Sequence, residues 1–202
     1  EPVTFPVFRS PHGPILVPSQ YDPANPQEPI ISWAHAHWGR EAQLIEAFLK
    51  LARATSMEEF DEGVEQMSVS QHVTYADRDG NIGYQAPGLV PIRSNGDGRI
   101  PVPGWNSEYE WTGYVPFDEL PSVYNPPEGY IVTANNPVVD GSYPYLLTTD
   151  WNYGDRAARI VELIEANSSI DLDYAAAMQF DNYNRHADRL LPWILSVDLS
   201  GE

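Results

Sequence analysis

The chain has 202 residues, 42% of them hydrophobic, which is enough apolar material for one globular unit. Its 29 acidic residues outnumber 11 basic ones and give a formal net charge of −18, which argues against nucleic acid or an anionic membrane surface as a partner because both recruit Lys and Arg. The chain contains no cysteine, which excludes a disulfide framework and thiol chemistry.

Residues 1–38 predict short strands around an exposed loop. Val3–Leu16 alternates apolar and polar positions around prolines, a pattern typical of two edge strands joined by a turn at His12-Gly13-Pro14. Residues 18–29 are rich in Pro, Asn, Asp and Gln without periodicity, so they predict a loop. Ile30–Trp38 alternates again and is predicted to be a strand.

Residues 39–68 predict a helical hairpin packed on a sheet. The second helix opens at Ser56, with Glu59 three residues on as a capping box. Its predicted inward residues are Phe60, Val64 and Met67. The predicted buried face of the first helix consists of apolar residues at helical spacing: Leu44, Ile45, Phe48, Leu49 and Ala52.

Residues 69–136 form a predicted β-rich centre. Apolar or β-branched runs alternate there with turns at Asp79-Gly80-Asn81 and Gly96-Asp97-Gly98, whose residues tolerate positive φ. Residues 137–202 predict an aromatic loop and then three helices, around 156–166, 174–180 and 184–195. Because strands and helices are segregated along the chain, the predicted class is α+β, with residues 1–202 as a single piece.

Five segments, in this order, resemble those of one enzyme family: YADRDGNIGY, PVPGW, EWTGYVPF, NPPEGYIVTANN and DWNYGDRAARI. They are similar to the penicillin acylase family of N-terminal nucleophile amidohydrolases, in the part of the large (β) subunit that follows the nucleophile. The resemblance runs from about Phe5 to the end of the chain. It implies an αββα architecture and an enzyme that hydrolyses the linear amide C–N bond of an N-acyl compound, such as a penicillin or cephalosporin.

The resemblance also implies that the chain is a fragment. The nucleophile of that family is the first residue of the β chain, a Ser, Cys or Thr exposed by self-cleavage of a precursor, whereas this chain begins Glu1-Pro2. We therefore expect a processed product or a piece of a longer polypeptide, inactive on its own. The implied partners are the α chain, the N-terminal part of the β chain and a small N-acyl amide, and the implied location is periplasmic or extracellular.

Asn135 is the predicted oxyanion-hole residue. In VTANN it matches the position, predicted here at a strand end, where the family places an Asn whose amide donates to the tetrahedral intermediate. Two alternatives stay open: Asn135-Asn136-Pro137 as an ordinary turn, and Asn136 as the donor, because a one-residue shift in a strand reverses the side chain. Arg156, in GDRAARI, matches an arginine that supports the Asn, with a surface ion pair to Asp155 as its alternative.

Gly98 is the predicted metal-contacting residue. The resemblance implies a structural Ca²⁺ bound in part by the Gly98 carbonyl, with carboxylates from outside this chain, because a hard cation takes several oxygen ligands. Asp97 and Asp150 are further candidates, with ordinary turn roles as the alternative. His35 and His37 share a predicted strand face but have no third ligand placed to complete a zinc site.

A second hypothesis, from a different class, is a non-catalytic β-rich module that binds a carbohydrate or a protein. Aromatic side chains can stack on sugars, and paired carboxylates can perform acid–base catalysis, although an acidic chain produces such pairs by chance. No G-x-S-x-G pattern is present, so a self-contained serine hydrolase is not predicted. The residues on which this second hypothesis rests are Trp105, Trp111, Glu108, Glu110, Asp118 and Glu119.

Overall fold

The computed structural model describes residues 2–4, 7–16, 24 and 30–197. The chain divides into two compact units, the first comprising residues 1–129 and 144–149 and the second residues 130–143 and 150–202. Among these residues, the small sheets and two α-helices belong to the first unit, and three α-helices belong to the second. This segregation confirms the predicted α+β class. The prediction that residues 1–202 form a single piece of a larger enzyme stays a prediction.

The strands of the described residues are short and antiparallel. They form a three-stranded sheet β1-β2-β3, a second sheet β4-β5-β8, and a ribbon β6-β7 with a register shift at Ile92/Arg93. Their bounds are β1 Arg9–Ser10, β2 Gly13–Leu16, β3 Ile31–Ser32, β4 Val73–Ala76, β5 Ile82–Gln85, β6 Pro91–Arg93, β7 Trp111–Tyr114 and β8 Ser122–Tyr124.

The N-terminal strands differ from the prediction in two respects. The turn between β1 and β2 is at residues 11–12, one position before the predicted one, because Ser10 pairs with Gly13. The strand predicted over Ile30–Trp38 is limited to β3. Trp38 N–H donates to the His35 carbonyl oxygen, and Arg40 N–H donates to the His37 carbonyl oxygen, so the chain turns there instead of extending. The loop predicted at 18–29 lies, apart from residue 24, outside the described residues.

The predicted β-rich centre is confirmed between residues 73 and 124, where β4 to β8 lie. The β6-β7 ribbon contributes to an apolar cluster in which Val90, Val115 and Leu120 are buried. Residues 125–136 contain no strand, so the predicted sheet ends before Asn135.

The predicted helical hairpin is present as α1 (Glu41–Leu51) and α2 (Met57–Glu65). Helix α2 contacts β4 and β5, with the Phe60 ring centroid 5.1 Å from that of Tyr75. The capping box forms in a modified way: the Ser56 hydroxyl accepts from Glu59 N–H at 3.2 Å, but the Glu59 carboxylate accepts from Thr55 N–H at 2.7 Å rather than from Ser56.

The predicted buried face of α1 is correct at Leu44, which is partly buried, and is otherwise wrong by about one residue. Ala47 is its fully buried residue, and a Cβ built on Gly63 of α2 would lie 3.0 Å from Leu51 Cδ2, so the helices meet along the Ala47 and Leu51 side of α1. Ile45, Phe48 and Leu49 are instead more than half exposed. Ala47 occupies the buried position because its small side chain lets the two helices approach closely.

The second unit contains α3 (Asp155–Glu165), α4 (Leu172–Gln179) and α5 (Arg185–Leu195), close to the predicted positions. The Asp171 and Asn184 side chains cap α4 and α5 by accepting from backbone N–H groups of their first turns. Pro192 lies inside α5 without ending it. None of the helices in the described part of the chain has the length and apolarity needed to cross a bilayer.

Candidate active site

Asn135 lies in a bend of the second unit, not at the predicted strand end. Its φ of +61° is in the left-handed region, which Asn tolerates better than most residues because its short polar side chain can hydrogen-bond locally. The backbone is held there by a hydrogen bond from Asn152 N–H to the Asn135 carbonyl oxygen at 2.9 Å. A strained backbone fixed by a tertiary contact is a feature common at functional sites.

Arg156 fixes the orientation of the Asn135 amide. It stands in the first turn of α3, and its Nη1 donates to Asn135 Oδ1 at 3.0 Å and to the Ala134 carbonyl oxygen at 3.4 Å. A guanidinium is only a donor, so the Asn135 amide must turn its oxygen toward Arg156 and its NH₂ group away. Asn135 Nδ2 donates to no other residue within the described part of the chain, and Asn135 is exposed.

The Asn136 side chain is used by its own turn. Its Oδ1 accepts from Ala134 N–H at 3.0 Å, and its Nδ2 donates to the Pro137 carbonyl oxygen at 3.1 Å. Both ends of this amide are therefore engaged within three residues of chain. The ordinary-turn alternative describes Asn136. Of the two amides, it is that of Asn135 whose NH₂ group donates to no side chain or backbone group among the described residues.

The alternative role predicted for Arg156, a surface ion pair with Asp155, is not formed. The Asp155 carboxylate, only 18% exposed, accepts from Arg189 Nη2 at 2.6 Å, and His186 Nδ1 lies 3.7 Å from the same oxygen. Arg156 is thus directed to Asn135, although a cation in the first turn of a helix is unfavourably placed relative to the helix dipole. A residue that is locally unfavourable yet firmly hydrogen-bonded points to a role other than helix stability.

Chemically, this arrangement presents an amide N–H pair backed by a permanent positive charge. Hydrogen bonds that involve an ionised partner are shorter and roughly twice as strong as neutral ones. Arg156 withdraws electron density through Oδ1 and so strengthens Nδ2–H as a donor. Such a donor suits an oxygen that gains negative charge during a reaction.

The surroundings of Gly98 do not by themselves provide a calcium site. Hydrogen bonds from Arg99 to Asp97 lower the pKa of that carboxyl and occupy it, with Arg99 Nε donating to Oδ2 at 2.7 Å. The Arg93 guanidinium lies beside Gly98, 3.2 Å from the position of an added Cβ, and its charge opposes a cation. Among the described residues, no three His, Cys, Asp or Glu side chains are grouped to hold a metal. Calcium at Gly98 stays a prediction.

The residues behind the binding-module hypothesis are dispersed into separate contacts. The Glu110 carboxylate lies 2.8 Å from His12 Nε2, and the Glu119 carboxylate accepts from Tyr145 Oη at 2.5 Å. The Arg93 guanidinium carbon lies 5.8 Å from the Trp111 ring centroid, whereas Trp105 is 86% exposed. Neither carboxylate pair converges on one point.

Sequence reasoning missed the ion pairs that link α3 to α5. Asp155 and Glu162 are seven residues apart on α3, and Arg185 and Arg189 are four apart on α5. Both spacings place the charges on one face of their helix, and the order is reversed as expected for antiparallel helices. This charge pattern was the available signal.

Comparisons with known proteins identify the family of the chain. The family model described as penicillin amidase matches residues 1–202. The chain is 37% identical over 133 residues to penicillin acylase 2 proenzyme of Pseudomonas sp. (strain SE83), covering 66% of this chain and 17% of that protein. It is 30% identical over 190 residues to the acyl-homoserine lactone acylase QuiP of Pseudomonas syringae pv. tomato, covering 94% of this chain and 22% of that protein.

A thermostable penicillin G acylase from Alcaligenes faecalis is a structural neighbour, with a TM-score of 0.70 and 29% identity over 96% of this chain and 35% of that one. The fold is therefore that of an N-terminal nucleophile hydrolase, as predicted. The chain belongs to the penicillin amidase family. It spans about a fifth of the length of the curated relatives it matches.

Proposed function

We propose that this chain is part of an acylase that hydrolyses the linear amide bond of N-acyl compounds, with Asn135 as a side-chain donor of the oxyanion hole. The observation that carries the proposal is the hydrogen bond from Arg156 to Asn135 Oδ1, which leaves Nδ2 facing outward. Family membership supports the amide hydrolase activity.

The nucleophile comes from polypeptide outside these residues, as the resemblance implies. When it attacks the amide carbon, the carbonyl oxygen gains a negative charge. The C–N bond then breaks, the amine leaves with the proton taken from the nucleophile, and water hydrolyses the acyl-enzyme to release the carboxylic acid and restore the nucleophile. Asn135 Nδ2 donates to that oxygen, and Arg156 holds the amide so that no reorientation is needed as the charge develops. The 202-residue chain alone turns over no amide, because a donor without a nucleophile forms no acyl-enzyme.

The substrate class is that of N-acyl amines with a variable acyl group. Relatives named as penicillin acylase and as acyl-homoserine lactone acylase both support this class, and neither acyl preference is assigned to this chain. Two further parts of the proposal rest on the resemblance: export to the periplasm or the cell exterior, and a Ca²⁺ contacting the Gly98 carbonyl. Cell fractionation and metal analysis of the complete enzyme test them.

The test of the oxyanion role is a matched pair of substitutions in the complete enzyme. Asn135→Asp keeps the acceptor for Arg156 and the tolerance of positive φ, but it replaces the donor by an anion, so kcat should fall by at least about 10². Asn136→Asp makes the same change one residue on and keeps the acceptor for Ala134 N–H. The change gives up the hydrogen bond from Asn136 Nδ2 to the Pro137 carbonyl oxygen, so it should lower stability by about 0.5–1.5 kcal/mol. The kcat of the folded enzyme should stay within about threefold of wild type, because the proposal gives this side chain no contact with the substrate.

Two outcomes overturn the assignment. A larger loss in Asn136→Asp than in Asn135→Asp transfers the role to Asn136. Equal small losses show that neither side chain contacts the oxyanion. Circular dichroism of both variants confirms that folding is retained, so that a lost rate is not a lost fold.

A further inference from the structure

A set of ion pairs joins α3 to α5 beside the proposed oxyanion donor. Asp155 and Glu162 of α3 pair with Arg189 and Arg185 of α5, and Arg159 of α3 binds the carboxylate of Asp181 at 2.7 Å. These α3 residues follow one another at i, i+4 and i+7 and so share a face. Arg156 lies one residue after Asp155, about 100° further around the helix, and turns to Asn135 instead.

Asp155 is the carboxylate beside Arg156 in the chain, and its charge is already matched. Oδ2 accepts from Arg189 at 2.6 Å, while the side chain of Arg189 itself is 59% exposed and that of Asp155 only 18%. A mostly buried carboxylate that loses its cation is costly, so it favours any cation within reach. The basic side chains that remain around Asp155 are His186, whose Nδ1 lies 3.7 Å from Oδ2, and its chain neighbour Arg156, whose charge is permanent. A carboxylate is also a stronger acceptor for a guanidinium than the neutral amide oxygen of Asn135.

We propose that Arg189 is a positioning residue for the reaction: by holding Asp155, it keeps Arg156 directed at Asn135. This inference rests on the proposed function of Asn135. When Arg189 is removed, Asp155 competes for the Arg156 guanidinium, the Asn135 amide is free to turn, and the outward Nδ2 is no longer fixed. Arg189 touches no reacting atom and acts only through Asp155 and Arg156.

The experiment measures kcat and KM of the complete enzyme for one N-acyl substrate, expressed per amount of processed enzyme. Arg189→Gln should lower kcat about tenfold, which corresponds to about 1.4 kcal/mol, with KM little changed because the lost interaction is made in the transition state. Adding Asp155→Asn to this variant removes the competitor and should restore most of the lost rate. Arg189→Lys keeps a cation for Asp155 and should retain most of the activity.

The matched control is Arg185→Gln, which breaks another α3–α5 ion pair, with Glu162, and leaves Asp155 held. It should not change kcat. If Arg185→Gln is as slow as Arg189→Gln, or if the double variant stays as slow as Arg189→Gln alone, the ion pairs only hold the helices together and the inference is overturned. Asn135→Asp, assayed in parallel, separates the two claims: a normal rate in that variant refutes the oxyanion role itself.

Discussion

The energetic link between Asn135 and Arg156 can be measured by a double-mutant cycle. Asn135→Gly removes the amide and adopts a φ of +61° without strain, so the donor is lost while the bend is kept. Arg156→Met keeps the length and the apolar stem of the side chain and removes the guanidinium. The two changes therefore delete the two ends of one hydrogen bond, from Nη1 to Oδ1 at 3.0 Å.

The expected losses differ in size. Removing an oxyanion donor costs ~10²–10³ in kcat, so Asn135→Gly should fall in that range. A hydrogen bond to a charged group contributes about 1.5–3 kcal/mol, so Arg156→Met should lose at most about 10²-fold, and less if the oxyanion itself attracts the freed amide. Because Arg156 acts through Asn135, the double variant should be within about threefold of Asn135→Gly alone.

The assay is hydrolysis of a chromogenic N-acyl amide by the complete enzyme, with each variant checked for correct processing and for its melting temperature. Losses that multiply in the double variant would show that Arg156 contacts the substrate or the intermediate directly. That result would refute the account of Arg156 as the support of Asn135, whatever the size of each single loss.

Two further predictions concern pH. Hydrogen bonds from Arg159 lower the pKa of Asp181 below its ordinary value of 3.8, so the stability that the pair provides is complete above that value and is lost as the pH falls through the lower folded pKa. Melting temperatures measured from pH 6 to pH 2 should therefore fall less steeply below pH 4 in Asp181→Asn than in wild type. An unchanged slope would contradict this prediction. Burial raises the pKa of Tyr84 to about 12 from 10.0, so the free energy of unfolding should decline as the pH rises between those two values. In a spectrophotometric titration, the difference between wild type and Tyr84→Phe should show one tyrosine that ionises near pH 12 rather than near pH 10.

Local signals in the sequence carried much of the fold. The Ser56 cap, the glycine turns and the helical periodicity of α3 depend on residues close in the chain, and these predictions agree with the structure. The buried face of α1 was misjudged, because periodicity ranks Phe48 and Ile45 above Ala47, whereas Ala47 is the fully buried residue and Leu51 lies against Gly63 of α2. Which face of a helix is buried depends on its packing against a neighbouring helix, and the sequence of one helix does not show that packing.

The sequence predicted the residues of the candidate site but not their hydrogen-bond partners. The resemblance implied Asn135 and Arg156, but the sequence could not show that the Asn136 amide is hydrogen-bonded within its own turn, which is the observation that favours Asn135 in the proposal. The same holds for Asp155: its sequence neighbour Arg156 was an obvious partner, yet Arg189, distant in the chain, occupies it. In a chain with 29 acidic residues and 11 basic ones, each basic side chain has many possible acidic partners, and the sequence does not show which of them is close in space.

The most direct test of the central claim is a crystal structure of the complete enzyme with a boronic acid analogue of the substrate bound to its nucleophile. We predict that the analogue's oxyanion-like oxygen lies about 2.7–3.1 Å from Asn135 Nδ2 while Arg156 still donates to Oδ1. An oxygen contacted by other donors, with Asn135 Nδ2 turned away from it, would contradict the account.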